Sequence, residues 1–116
     1  MAVTYIDTGQ CLRVKPAAAQ GAVAEIVNSD LCAAKSVIGM LRWLDEGERF
    51  DAEPLTDRHQ LIYLMEGDGV VDLESKEYEV SKGAGLYLAP RERASIRQAG
   101  GAPLKLFHLV VAEVRD

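Results

Sequence analysis

The sequence has few of the residues that mark disulfide-stabilised or membrane-spanning proteins. It contains two cysteines, Cys11 and Cys32, whose spacing matches neither a disulfide scaffold nor a zinc knuckle. No run approaches the roughly 18 apolar residues of a membrane span. The first ten residues lack the basic region and the apolar stretch of a signal peptide. We therefore predict a cytoplasmic protein with reduced thiols.

Positive charge is also scarce. The chain has 13 Lys and Arg residues against 18 Asp and Glu residues, and its net charge is −5. The basic side chains are scattered, apart from Arg91, Arg93 and Arg97. Nucleic acids and anionic membranes select for clustered Lys and Arg. We therefore expect neither a nucleic acid nor a membrane as the main partner.

The 116 residues are enough for one small domain with one core. Turn signals such as "EGDG" and "KGAG" recur about every ten residues. Between them lie short segments, "LIYLM", "VVDL", "KEYEV", "GLYLAP" and "LKLFHLVV", that have the residue types and alternation of strands. Residues 16–28 are ambiguous, because their alanines favour a helix while Gly21 weakens it. There we expect a loop followed by a strand.

Many short strands at this spacing predict an all-β sandwich or barrel. The sequence of the last predicted strand indicates which of its faces is outside, because Lys105 marks one face as the outer one. The opposite, inner face then carries His108, together with Leu104, Leu106 and Val110. A histidine on that face is either a satisfied core residue or a contact for a ligand or a proton.

Two groups of residues keep the spacing of a known pair of motifs. In the first, a glycine is followed by His-x-His, then Glu, then a second glycine; here these positions hold Gly47, Glu53, Leu55, Gln60 and Gly67. In the second, Gly, Pro-x-Gly, His and Asn follow one another; here the positions hold Gly83, Ala89, Arg91, Ala94 and Gln98.

By this spacing and by its hydrophobic pattern, the sequence resembles the cupin superfamily over about residues 36–112. The resemblance implies a double-stranded β-helix, that is, a jelly-roll barrel. Within one domain overall, we expect residues 36–116 to form the cupin barrel and residues 1–35 to form N-terminal strands or an arm packed on it. The resemblance also implies a homodimer, to which an early strand such as "VTYI" could contribute an edge.

The positions that hold the metal ligands in cupins carry different residues here. Leu55 and Ala94 have no donor atom, and Gln60 offers only a neutral amide. Glu53 is the single strong ligand left, whereas transition metals in such sites need imidazole nitrogen or carboxylate oxygen. We therefore expect no metal and no other cofactor. The alternative is that His59 or His108 is recruited as a displaced ligand, although strand alternation turns His59 outwards if Gln60 points inwards.

The main hypothesis is a metal-independent cupin-fold protein that binds a small organic ligand in its barrel. The predicted ligand-binding residues are Glu53, Leu55, Gln60, Arg91, Ala94 and His108. Arg91 or Arg93, at the barrel mouth, could clamp a carboxylate or phosphate.

Other functions stay open, because one fold hosts many activities. A cupin enzyme would use Glu53 and His108 as a catalytic acid–base pair for isomerase, cyclase or lyase chemistry. A metal-dependent oxygenase with displaced ligands and a structural or sensory partner without a ligand are further alternatives. Whether the protein is an enzyme is left open.

Overall fold

The structure is a computed structural model that describes residues 7–15, 21–27 and 37–112. The predicted edge strand "VTYI" and Cys32 lie outside these ranges. Within them, no helix is long and apolar enough to cross a membrane. The described chain has one 3₁₀ turn, Thr8–Gln10, and nine strands: β1 Ala22–Val27, β2 Val37–Leu44, β3 Arg49–Ala52, β4 Arg58–Glu66, β5 Asp68–Leu73, β6 Lys76–Ser81, β7 Gly85–Leu88, β8 Ala94–Ala99 and β9 Leu104–Ala112.

The strands form two antiparallel sheets. One has five strands in the order β1-β2-β9-β4-β7, and the other has four in the order β3-β8-β5-β6. From β2 to β5 the chain changes sheet at every step, and it does so again from β6 to β9. This alternation is the winding of a jelly roll. The prediction of an all-β, cupin-like jelly roll is confirmed.

The core lies between the sheets, and the alternation of side chains along the strands fills it. Along β9 the even-numbered residues from Leu104 to Val110 are buried, and along β4 the buried residues are likewise even-numbered. The predicted inner face of β9, including His108, is therefore confirmed. The fully enclosed aliphatic side chains, each worth about 1.5–3 kcal/mol of burial free energy, are Leu44, Ile62, Leu64, Val71, Ile96, Leu104 and Leu106.

The ambiguous segment contains a strand. Residues 22–27 form β1, which pairs with β2 at the edge of the five-stranded sheet. An isolated bridge between Val14 and Val23 extends this edge. The predicted strand is thus confirmed, whereas residues 16–20 of the predicted loop lie outside the described ranges.

The second glycine of the first motif is required by its surroundings. Gly67 joins β4 to β5 with φ +88°, and a Cβ built on it would lie 2.6 Å from the carbonyl oxygen of Pro103. Gly83, which opens the second motif, has φ +99° but no atom within 4 Å of such a Cβ. The two glycines therefore share a left-handed backbone and differ in the space around them.

This difference predicts unequal effects of the same substitution. Gly83→Ala should cost about 1–2 kcal/mol, the strain of a left-handed alanine. Gly67→Ala should cost a further ~1–3 kcal/mol, because the methyl group forces the 103–104 backbone away. Urea unfolding of both variants measures the difference. Equal losses would show that the β4–β5 turn does not pack as described.

Candidate functional site

Two polar side chains lie inside the barrel, on the two neighbouring strands β4 and β9. Gln60 is 2% exposed and His108 is 4% exposed; they are the buried polar residues of the described chain. Nε2 of His108 lies 2.8 Å from Oε1 of Gln60. A buried polar pair in an apolar core is stable only when its hydrogen bonds are satisfied. The partners on either side of the pair therefore define the site.

Arg42, on β2, is the partner on one side. It stands opposite Leu106 in the β2–β9 ladder, so the two side chains share the inner face of the sheet. Its Nε–H donates to Nδ1 of His108 at 3.1 Å. Its guanidinium also lies over the ring of Phe50, 3.9 Å from the centroid. The rings of Phe50 and His108 are themselves in contact, with centroids 5.2 Å apart.

The directions of the hydrogen bonds assign the protons. An arginine only donates, so Nδ1 of His108 is an acceptor, and the ring proton is on Nε2. Nε2–H then donates to Oε1 of Gln60, and Nε2 of Gln60 donates to the backbone carbonyl of Glu53 at 3.0 Å. The result is one continuous chain, Arg42 to His108 to Gln60 to the Glu53 carbonyl. We call this chain the inner network.

Burial and the neighbouring charge keep His108 neutral. Desolvation and, to a smaller extent, the charge of Arg42 together lower the pKa of its ring from 6.5 to about 3. Burial also lowers the pKa of Arg42 to about 10. At neutral pH the site therefore pairs a cation with an uncharged ring whose two nitrogens are both engaged. Such a group orients its neighbours and is a poor proton acceptor.

The other predicted site residues lie at different depths. Ala94 is buried, and it faces Ala52 across the β3–β8 ladder. Leu55 is half-buried, and its carbonyl accepts a hydrogen bond from the backbone N–H of Arg91 at 2.9 Å. Arg91 is exposed and has a left-handed φ of 71°. The side chain of Glu53 is exposed, and its contact with the inner network is through the backbone carbonyl.

A groove of about 770 Å³ lies at one end of the barrel, between the β5–β6 turn and the segment from β7 to β8. Arg91, Arg93, Ala94 and Leu88 line it, together with the exposed ring of Tyr87. Leu88 is the residue opposite Gln60 in the β4–β7 ladder. The structure thus brings Arg91 and Ala94 together in the groove, while Gln60 and His108 come together in the interior.

The residues present do not fit a transition-metal ion. The one oxygen of Gln60 that could bind a metal accepts from His108, and both nitrogens of His108 are hydrogen-bonded. His59 is on the outer face, where Nδ1 lies 2.6 Å from the hydroxyl of Tyr87. His59 and His108 therefore face opposite sides of the sheet. Among the residues that the structure describes, no three His, Cys, Asp or Glu side chains group to hold a metal.

Arg42 is the functional candidate that the sequence analysis missed. The signal was present, because Arg42 is the one charged residue in the apolar strand "VIGMLRWL". A charge in the middle of such a strand needs a polar partner inside the fold. The sequence does not reveal that this partner is His108, 66 positions further along the chain.

Comparison with known proteins identifies the family. The profile of the AraC-like ligand binding domain matches residues 40–112, which include the whole inner network. A curated relative, the uncharacterized protein MJ1618 of Methanocaldococcus jannaschii, is 34% identical over 47 residues. That match covers 40% of this chain and 38% of the relative, so it spans well under half of each protein.

Solved structures agree on the fold. A predicted oxalate decarboxylase from Thermotoga maritima superposes with a TM-score of 0.77 at 16% identity, covering 93% of this chain and 98% of its own. KdgF from a Halomonas species superposes with a TM-score of 0.76 at 11% identity, covering 99% of this chain and 97% of its own. The cupin domain of Schizosaccharomyces pombe Cnp3 superposes with a TM-score of 0.74 at 11% identity, covering 92% of this chain and 72% of its own. At these identities the likeness shows the fold alone.

The buried ring of His108 predicts a pH dependence of stability. The unfolded chain takes up a proton at this ring below pH 6.5, whereas the folded chain does so only near pH 3. The stabilisation is present above pH 6.5 and is lost as the pH falls from 6.5 towards 3, by up to about 1.4 kcal/mol per pH unit.

Denaturant unfolding between pH 7 and pH 4 measures this slope. We expect His108→Gln to flatten it, because the proton uptake of the unfolded chain is then removed at this position. His59→Gln, which removes the half-buried histidine of the outer face, distinguishes the contributions of the two rings. If only His59→Gln flattens the slope, the assignment to His108 is wrong.

Proposed function

The chain belongs to the family of AraC-like ligand binding domains within the cupin superfamily, and from this premise we propose that its barrel binds a small organic molecule without a metal ion. The inner network is the observation that carries this proposal. It places a few oriented polar groups, Arg42, His108 and Gln60, against an apolar wall. That combination is typical of small-molecule sites, where apolar contacts give affinity and fixed polar groups give orientation.

The geometry favours binding over acid–base catalysis. The proposed pair would need the Glu53 carboxylate near His108, and this side chain is exposed while the ring is 4% exposed. In addition, the neutral ring has its acceptor nitrogen occupied by Arg42. For these reasons the roles proposed for His108 and Gln60 are to orient a ligand, with Leu55 and Ala94 giving space and apolar surface where other cupins have histidines.

Metal independence predicts that chelation leaves the protein unchanged. Treatment with EDTA should leave the Tm unaltered, and addition of Fe²⁺, Mn²⁺, Ni²⁺ or Zn²⁺ should not raise it, because the described residues offer no set of donors for such an ion. Differential scanning fluorimetry and elemental mass spectrometry measure both. About one metal ion per chain together with a lower Tm after chelation would overturn the proposal.

Ligand binding is tested by thermal-shift screening of organic acids, sugars and small aromatic compounds. Hits should stabilise the wild type, while Gln60→Leu should lose most of the shift because the network loses its central link. Gln98→Leu is the matched control, since the side-chain amide of Gln98 donates to the carbonyls of Gly100 and Ala102, outside the inner network. Hits that stabilise wild type and Gln60→Leu equally would place the ligand elsewhere.

We further propose that the chain pairs with a second copy through the outer face of the five-stranded sheet. Leu61, Tyr63 and Tyr87 are 41%, 43% and 60% exposed on this face. They stand beside Phe107 and Leu109 in the ladders of β4 with β7 and β9. An apolar face spanning three strands, with aromatic residues at its centre, suits a symmetric contact between two identical surfaces.

A charge on this face should separate the copies. Tyr63→Glu should give a monomer, because two carboxylates would be buried against each other across the symmetry axis. Tyr78→Glu is the matched control, since Tyr78 is 47% exposed on the other sheet. Analytical ultracentrifugation measures the mass. A monomeric wild type, or a dimer that survives Tyr63→Glu, would contradict the proposed face.

A further inference from the structure

Besides Arg42, three arginines have described side-chain contacts; the exposed Arg13 lies over the ring of Trp43, and the other two form ion pairs. Arg49 is paired with Asp51, and Arg97 is paired with Asp72 and Glu77. Arg42 is more buried than either, yet its contacts in the described part of the chain are all with neutral groups. These are the imidazole of His108, the ring of Phe50 and the thioether of Met40.

An arrangement of this kind is costly. Taking a guanidinium partly out of water weakens its hydration, and a carboxylate normally compensates the charge. Here no ion pair to Arg42 forms within the described residues, although the chain has 18 acidic side chains. Burial is the cause of the lowered pKa of Arg42. His108 does not compensate either, because its ring is neutral.

The guanidinium is also held in place. Nε is fixed by Nδ1 of His108 at 3.1 Å, and the plane is supported by Phe50 at 3.9 Å. Nη2 makes one weak contact, 3.6 Å to the sulfur of Met40. The strongest donors at the tip of the side chain are thus left for a partner outside the described contacts. A fixed guanidinium with available Nη donors is suited to bidentate binding of a carboxylate or phosphate.

From these observations we infer that Arg42 binds an anionic group of the ligand, so that the molecule held in the barrel is a carboxylate or a phosphate. This inference rests on the proposed function and names its ligand class. The anion supplies the missing counter-charge, while the imidazole of His108 holds the guanidinium at a fixed angle. Arg42 is then the specificity-determining residue, and Gln60 and His108 position it.

The test compares matched anionic and uncharged probes. Acetate and acetamide, benzoate and benzamide, and succinate and succinamide are titrated into the full chain by calorimetry at constant ionic strength, with inorganic phosphate added to the series. We expect the anionic member of at least one pair, or phosphate, to bind at least about tenfold more tightly than the uncharged member. Binding should be lost in Arg42→Gln and partly retained in Arg42→Lys.

Three further variants locate the contact. Arg93→Gln and Arg97→Gln should keep wild-type affinity, because these arginines are outside the inner network. Glu25→Gln should bind the anion at least as well as the wild type. Glu25 lies two pairs along the β1–β2 ladder from Arg42, on the same side of the sheet, and its removal takes away a negative charge that repels an anion. Loss of binding in any of these three, with Arg42→Gln unaffected, would overturn the assignment.

A spectroscopic readout checks that the anion reaches Arg42. Bound anion offsets the charge that lowers the pKa of His108, so the ring pKa measured by NMR should rise on addition of the bound probe. In Arg42→Gln the pKa should be higher from the start and should not respond. A pKa that is unchanged by a bound anion in the wild type would overturn the inference.

The two proposals fail in different ways. If uncharged probes bind and their anionic partners do not, the ligand class is wrong while ligand binding stands. If screening yields no ligand of either kind, the proposed function itself fails. If anions bind equally to the wild type and to Arg42→Gln, the barrel binds anions at another residue, such as the exposed Arg91 of the groove.

Discussion

The organisation of the barrel interior depends on one contact, the hydrogen bond from Arg42 Nε to Nδ1 of His108. It fixes the proton of the His108 ring on Nε2. Because Nε2–H is then a donor, Gln60 turns its side-chain oxygen towards the ring. The amide of Gln60 must then present its nitrogen to the carbonyl of Glu53. A single cation on β2 thus orders side chains on β4 and β9 and a backbone group beyond β3.

In the proposed function, this order takes the place of the metal that organises the corresponding positions in other cupins. A metal ion holds several imidazoles and a carboxylate in place by coordination. Leu55 and Ala94 stand where two of those groups would be, and in this proposal the inner network, which begins at the cation Arg42, orients the polar groups that remain. The positive charge in the barrel is then an arginine, which offers directional N–H donors in place of coordination sites. This exchange is the physical basis for proposing binding in place of metal chemistry.

Much of the fold was predictable from the sequence, because it follows from local patterns. The strands after residue 36, the inward face of β9 and the glycines at Gly67 and Gly83 all follow from alternation and turn chemistry. The β5–β6 turn does not, since Glu74 and Ser75 both adopt positive φ without glycine or asparagine. The five-stranded order was also beyond prediction, because it depends on pairing between segments far apart in sequence.

The site was predictable only in part. Gln60 and His108 were identified from motif spacing and strand parity, and the structure places them in contact. Arg42 was not predicted as a site residue, because the strand "VIGMLRWL" has apolar residues on both faces and its alternation does not show which face is inside. The sequence left open whether Glu53 faces water or the barrel, because the direction of a side chain just after β3 depends on the loop that follows. The cytoplasmic location and the absence of a nucleic-acid or membrane partner stay predictions from composition.

The inner network can be examined directly by long-range ¹H–¹⁵N correlation of the His108 ring, recorded from pH 5 to pH 8 with and without Zn²⁺. We predict a neutral ring protonated at Nε2, with nitrogen shifts that stay constant across this range and do not respond to the metal. Titration of the ring near pH 6.5, or a change in its nitrogen chemical shifts on addition of Zn²⁺, would contradict the proposal that a hydrogen-bonded network occupies the place of a metal site.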